Sequence, residues 1–220
     1  MKTIALIPAR LESERFPNKL IKKLDGVPII VRTYLAALNS KLFDQVYVVS
    51  GNDEIIDLIK SKDGLIFKSR KIHLSGTDRI AEAAKEIDHD IVVNLQGDEP
   101  FINIDAIDSL IASFEDNSVK MASLMTSFNS FDEIKNPNNV KVTVDKNNNA
   151  IFFSRSPIPE GEDEIKKFNR HIGVYAFRKN TLINFSSLNR SKNEISQNLE
   201  GNRAIDNLIP IKTVSYTHLT

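Results

Sequence analysis

The sequence predicts an α/β fold, with a mostly parallel central sheet, helices on both of its faces, and a small antiparallel lobe. Two patterns carry that expectation. Up to about residue 120, short apolar strands alternate with helical stretches, as parallel strands joined by crossover helices do. Beyond it, Val140 to Asp145 and Ala150 to Arg155 flank the turn-forming run Lys146-Asn-Asn-Asn149, which is the pattern of a hairpin. A length of 220 residues with 41% hydrophobic content bounds the chain to one α/β domain, or to a main domain carrying a smaller lobe.

Thr3 to Pro8 reads as a buried strand. After a long polar loop, Pro28 opens a helix through Leu38, at the place where proline's missing N–H costs least. Gln45 to Ser50 is the second strand, and Asn52 is placed to cap a helix through Lys62. Leu65 to Lys68 follows Gly64 as the third strand. Thr77 is placed to cap a helix from Asp78 to Glu86, Asp90 to Leu95 is another apolar strand, and Asn103 is placed to cap a helix through Phe114. Ser156 to Phe168, rich in Pro, Gly and charge, reads as loop, after which His171 to Phe177 returns as a strand. The expected organisation is one domain over residues 1–213, with 1–120 as its first half and about 121–180 as the lobe. Residues 214–220 form an atypical tail.

Composition removes several classes of function. Cysteine is absent, which excludes disulfide frameworks, thiolate nucleophiles and cysteine metal sites, and fits a reducing cytosol. The apolar run at the N-terminus turns directly into Pro-Ala-Arg, so it reads as a core strand and not as a targeting segment. No stretch approaches the roughly 18 uninterrupted apolar residues of a membrane-spanning helix. The expectation is therefore a cytoplasmic protein without a membrane partner. Lys plus Arg and Asp plus Glu balance at 29 each, so no global field favours nucleic acid, and no basic stripe with interleaved aromatics occurs. Residues 1–32 nevertheless carry a net charge of +4, which suits a local anion site. On charge alone, a solvated basic face explains it at least as well.

Three segments could carry chemistry. The loop Pro8-Ala-Arg-Leu-Glu-Ser-Glu-Arg-Phe-Pro-Asn-Lys19 sets three cations and many backbone donors between the first strand and the next helix, which suits a triphosphate. Neither G-x-x-x-x-G-K-[ST] nor G-x-G-x-x-G occurs, so P-loop kinase and dinucleotide dehydrogenase readings lose their main support. Leu95-Gln-Gly-Asp98-Glu-Pro follows an apolar strand, where Asp98 can reach a magnesium ion held by phosphates; alone, such an aspartate is more often a turn or a cap. His73-Leu-Ser-Gly-Thr-Asp-Arg79 offers hydroxyls, a glycine and a helix N-terminus to an anion, a ribose or a base edge. In the lobe, Arg155 and His171 could bind an acidic sugar, although on composition alone His171 reads as structural.

At these residues the chain resembles the 3-deoxy-manno-octulosonate cytidylyltransferase (CMP-Kdo synthetase) family. The ordered pieces are Ile7-Pro-Ala-Arg10, Arg15-Phe-Pro-Asn-Lys19, Ser75-Gly-Thr-Asp-Arg79, Asn94-Leu-Gln-Gly-Asp-Glu-Pro100, Asn136-Pro-Asn-Asn-Val-Lys141, Phe153-Ser-Arg155 and Arg170-His-Ile-Gly-Val-Tyr175. Any one is weak; the ordered set is specific. The resemblance implies a Rossmann-like nucleotide-diphospho-sugar transferase fold, a homodimer, and a role in lipopolysaccharide synthesis. It implies that Arg10, Arg15 and Lys19 hold the CTP phosphates, that Pro8, Ala9, Ser75, Gly76, Thr77 and Arg79 frame the cytidine, and that Gln96 positions the nucleotide. It further implies that Asp98 ligates magnesium, that Arg10, Lys19 and Asp98 are catalytic, and that Arg155, His171, Tyr175 and Glu200 face the sugar acid.

Two departures stand out. The family is expected to follow its last core strand with an aspartate-bearing segment that supplies a second metal carboxylate, and no aspartate follows Asp206 here. The expectation is a truncated or wrongly joined C-terminus, which would make this chain a weakened enzyme or an inactive nucleotide-binding form. Gln197 and Gly201 also stand where the family usually has Glu and Gln, so the resemblance speaks more firmly for the nucleotide than for the sugar. Because the CTP contacts would be shared, cytidylyl transfer to a related acid, an 8-amino-3,8-dideoxy-octulosonate or a sialate, is the alternative.

Overall fold

The computed structural model describes residues 1–12, 18–101 and 103–216. The chain divides into two compact units, one of residues 1–111 and 176–186, the other of residues 112–175 and 187–220. Neither unit is one run of sequence, a division that periodicity alone does not reveal.

Unit one is built on β1 (Thr3–Pro8), whose residues Ile4 to Ile7 are fully buried. Burying each of the side chains of Ile4, Leu6 and Ile7 is worth about 1.5–3 kcal/mol, so this strand anchors the core. Next in the chain come β2 (Lys23–Leu24) and β3 (Val27–Pro28), a two-stranded hairpin turned by Asp25 and Gly26 at φ 48° and 77°. The Asp-Gly pair is the usual solution for a two-residue hairpin turn, and it lies inside what the sequence reads as plain loop. Helix α1 (Ile29–Asn39) leads to β4 (Gln45–Ser50), α2 (Asp53–Lys60) to β5 (Leu65–Lys68), and α3 (Gly76–Glu86) to β6 (Ile91–Asn94). The order is β6-β1-β4-β5 and every pairing is parallel, as the alternation predicts. Helix α2 shows why: Ile55, Ile56 and Ile59 are buried, with Asp53 and Glu54 in its first turn and Lys60 in its last, matching the helix dipole. Helix α4 (Ile104–Ala112) is capped as expected, Asn103 Oδ1 accepting from Ala106 N at 2.9 Å.

Unit two contains β7 (Met121–Ser127), α5 (Phe131–Lys135), β8 (Lys141–Val144), β9 (Ala150–Ser154) and most of β10 (Asn169–Arg178). The predicted hairpin is β8–β9, antiparallel, and β8 also pairs antiparallel with β10. After helix α6 (Lys179–Ser187), which lies in unit one but for its last residue, come α7 (Lys192–Gln197), α8 (Gly201–Asp206) and β11 (Ile211–Ser215). Strand β11 runs parallel to β7, with Val214 opposite Leu124 and Ser215 opposite Met125, and Tyr216 N donates to Met125 O at 3.1 Å. Val214 and Ser215 therefore belong to the strand, and Tyr216 is tied to β7 just after it; of the expected atypical tail, residues 217–220, His218 among them, lie outside the described residues.

Candidate active site

In unit one the carboxyl ends of β1 and β6 and the N-terminus of α3 meet at a cleft of about 340 Å³. That is where parallel topology places ligands, and the volume lies in the range of small-molecule sites. Strand β1 delivers Pro8, Ala9 and Arg10, its backbone still held by β4 through Ala9 N to Val49 O at 3.0 Å. Strand β6 leads to Gln96, Gly97 and Asp98. A Cβ on Gly97 would lie 3.1 Å from Pro8 O and 3.2 Å from Ile30 Cδ1, and Thr33 Oγ1 donates to Gly97 O at 3.0 Å. This close approach fixes Asp98 beside the first loop.

Asp98 Oδ2 accepts from Lys19 Nζ at 2.7 Å, with both side chains about two-fifths exposed. Lys19 stands on a one-turn 3₁₀ helix, Lys19–Ile21. Ser75, Gly76 and Arg79 close the cleft from α3. Arg79 is buried at 9% exposure; burial, and then the neighbouring Arg10 guanidinium, press its pKa downward. Glu12 faces both cations. Its carboxyl sits below the usual range because it accepts from its own backbone amide and from Asn52, with Arg79 and Arg10 adding to the effect against burial. The cleft thus sets the cations Arg10, Lys19 and Arg79 against two acids, Glu12 and Asp98, an excess of positive charge suited to a polyanion.

Two local assignments differ from the sequence reading. The cap of α3 is Ser75, whose side chain accepts from Asp78 N at 3.1 Å. Thr77, inside the first turn and 1% exposed, points to β6 and accepts from Asn94 Nδ2 at 3.1 Å, so it does not line the cleft as expected. Asn52 occupies the cap position of α2 without a side-chain cap bond. Its Oδ1 accepts from Leu11 N at 3.3 Å and its Nδ2 donates to Glu12 Oε1 at 3.4 Å, tying down the first loop. Arg15 lies outside the described residues.

Sequence reasoning missed Glu12, Leu20 and His73 as lining residues. His73 Nε2 lies 2.7 Å from Glu82 Oε2, and Glu82 also accepts from Ser69 Oγ at 2.7 Å and Arg70 N at 3.1 Å. Burial alone would raise the Glu82 pKa; the bonds from Ser69, His73 and Arg70 outweigh it and hold the carboxyl below its ordinary value. The signal available was position, since His73 stands two residues before the Ser-Gly-Thr turn.

The four expected sugar-facing residues all lie in unit two. Arg155 is held by Gln197, whose Oε1 accepts from Arg155 N at 3.1 Å and whose backbone O accepts from Nε at 3.0 Å, while Nη1 donates to Pro137 O at 3.0 Å. Lys141 supports the same corner: its buried ammonium donates to the carbonyls of Asn136, Asn139 and Arg155 at 3.0, 2.8 and 2.6 Å. Burial, and then Arg155, lower its pKa. Tyr175 is buried; burial and the Glu200 carboxylate push its hydroxyl well above the ordinary value, against a bond from the Gly201 amide. A Cβ on Gly201 would stand 2.7 Å from both the Phe153 ring and the Tyr175 hydroxyl, so only glycine fits here without a shift. His171 is buried, with Ser123 Oγ 2.8 Å from Nε2. Glu194 and Arg203, both nearly sealed, pair through two bonds at 2.8 and 2.7 Å and hold α7 to α8.

The described residues contain no helix long and apolar enough to cross a membrane. A family profile described as cytidylyltransferase matches residues 4–211. A 3-deoxy-manno-octulosonate cytidylyltransferase of Flavobacterium johnsoniae is 47% identical over all of this chain and 92% of its own length. The like-named protein of Christiangramia forsetii is 44% identical over 97% of this chain and 88% of its own length. Among solved structures, a CMP:2-keto-3-deoxy-manno-octonic acid synthetase complexed with CTP superposes with a TM-score of 0.93 at 33% identity, covering 98% of this chain and 90% of that one. A 4-diphosphocytidyl-2C-methyl-D-erythritol synthase from Anaerococcus prevotii, 16% identical with a TM-score of 0.64 over 99% of this chain and 90% of that one, shares the fold.

Proposed function

The chain belongs to the 3-deoxy-manno-octulosonate cytidylyltransferase family, and from that premise we propose that it transfers CMP from CTP to 3-deoxy-D-manno-octulosonate, releasing diphosphate. The observation that carries this reading is the cleft that gathers Arg10, Lys19, Arg79, Asp98 and the start of α3. The cations take the triphosphate, and the α3 N-terminus with Pro8 and Ala9 frames the nucleoside. The anomeric hydroxyl of the sugar acid attacks the α-phosphorus in line, forming the new P–O bond as the bond to diphosphate breaks. Lys19 and Arg10 offset the negative charge that grows on the transferring and leaving groups.

Asp98 fits magnesium by its donor chemistry: magnesium takes one or two protein carboxylates beside phosphate oxygens, and this one opens into a polyanion site. When bound there, the ion would neutralise phosphate charge. The Lys19–Asp98 pair is part-exposed and worth at most ~1 kcal/mol, so CTP phosphates can claim Lys19 and release the carboxylate at little cost. Arg155, steadied by Gln197, is the partner for the sugar carboxylate, and His171, Tyr175 and Glu200 serve its hydroxyls. The same reading carries lipopolysaccharide synthesis as the pathway, a homodimer as the working form, and the cytoplasm, where CTP is made, as the location.

The experiment is diphosphate release from CTP, magnesium and 3-deoxy-manno-octulosonate. Release that needs all three is the expected result. Bound CTP without release, for this acid and for the 8-amino and sialate analogues, would leave a nucleotide-binding protein and overturn the proposal.

A further inference from the structure

Ser123, on β7 and fully buried, has three polar neighbours around its hydroxyl, two carbonyls that can only accept and one imidazole nitrogen. Its Oγ lies 2.8 Å from His171 Nε2, 2.8 Å from Val174 O and 3.3 Å from Ile172 O. Carbonyls carry no proton, so a 2.8 Å contact between Oγ and Val174 O is favourable only if the serine proton lies in it. That leaves an oxygen lone pair facing Nε2, and the imidazole must supply the proton for that bond. The protonated nitrogen of His171 is therefore Nε2, and Nδ1 is bare.

Nothing among the described residues donates to Nδ1, and His171 as a residue keeps 9% of its surface exposed. Phe153 and Tyr175 hold the ring, with centroids at 4.5 and 5.4 Å. Burial holds the imidazole neutral, with its pKa lowered to about 3, so Nδ1 stays a bare acceptor at neutral pH.

We propose that Ser123 is a positioning residue that locks His171 as the Nε2–H tautomer, so that Nδ1 accepts a hydroxyl of the sugar acid and refuses its carboxylate. This rests on the sugar-acid reading given above. An acceptor cannot bind a second acceptor, so the carboxylate must go to a cation, and Arg155 supplies one whose Nη2 has no partner among the described residues. Selection in unit two then divides between a donor, Arg155, and an acceptor, His171, and the choice between them is set by a serine that need never touch the ligand.

The test is nitrogen-15 NMR of the histidine rings in the whole protein at neutral pH, followed by addition of the sugar acid. His171, assigned with His171→Gln, should show a protonated Nε2 and an unprotonated Nδ1, and the sugar acid should shift the Nδ1 signal. Ser123→Ala should alter that pattern and raise the KM for the sugar acid about tenfold, while the KM for CTP stays unchanged. A protonated Nδ1 in the native protein overturns the tautomer assignment, whatever the enzyme's activity. A bare Nδ1 that ignores the sugar acid, with an unchanged KM in Ser123→Ala, overturns the ligand half, and diphosphate release by the native protein then shows the general function still standing.

Discussion

Asp98 pairs with Lys19 in the free cleft, and in the proposed reaction it passes to the metal–phosphate assembly once CTP arrives. Asp98→Asn keeps the shape and a weak acceptor but removes the charge. Turnover is expected to fall by at least 100-fold while calorimetry still records CTP binding, and unchanged diphosphate release would remove Asp98 from the chemistry. Lys141 is a different kind of residue. Its ammonium satisfies three carbonyls in a dry corner, so Lys141→Met should cost about 3 kcal/mol in urea unfolding, mostly from carbonyls left without a donor. The cleft-lining residues that leave the ends of strands, Pro8 to Arg10 and Gln96 to Asp98, were legible as neighbours because parallel topology dictates where such segments point. Lys141 and Ser123 were not legible: nothing in a strand sequence says which buried polar side chain will face three carbonyls or a histidine across the sheet. Thr77 misled because Ser75, Thr77 and Asp78 all suit a helix start, and only the backbone decides which one caps.

At the scale of elements, the start of α3 closes one side of the cleft, the side that the proposed function gives to the nucleoside. Ser75→Ala removes its cap bond, and unfolding free energy should drop by about 1 kcal/mol. The same change should raise the KM for CTP, because the freed helix start frays within the site; a KM unmoved by the loss of stability would uncouple cap from cleft. The alternation of apolar strands and amphipathic helices made the parallel order of unit one readable, and Lys146 to Asn149 announced the β8–β9 hairpin. Strands β7 and β11 escaped because neither is adjacent in sequence to its partner: Ile211 pairs with Met121 across 90 residues of chain. Helices α6, α7 and α8 escaped for their polar composition, which is stabilised by tertiary contacts such as the Glu194–Arg203 pair instead of an apolar stripe.

At the scale of the whole molecule, each unit keeps one histidine buried and neutral. His171 falls from an ordinary 6.5 to about 3, and His89 is lowered too, by burial and then Lys179, against a bond to Ile87 O. In that interval the unfolded chain binds more protons than the folded one, so stability must fall as pH drops below about 6.5 and continue falling towards 3. The expected slope is up to ~1.4 kcal/mol per pH unit for each histidine, read from urea midpoints between pH 7.5 and 5. His171→Gln should flatten the curve; an unaltered slope would mean that the ring takes up its proton in the folded state. The division of the chain has a further consequence for how the protein is made. Unit one needs residues 176–186 to be whole, so an emerging polypeptide cannot finish its first unit until some 60 residues of the second have already left the ribosome. The first 111 residues must wait, with apolar strands uncovered, and a nascent chain stalled before residue 176 should be the form that chaperones and proteases seize.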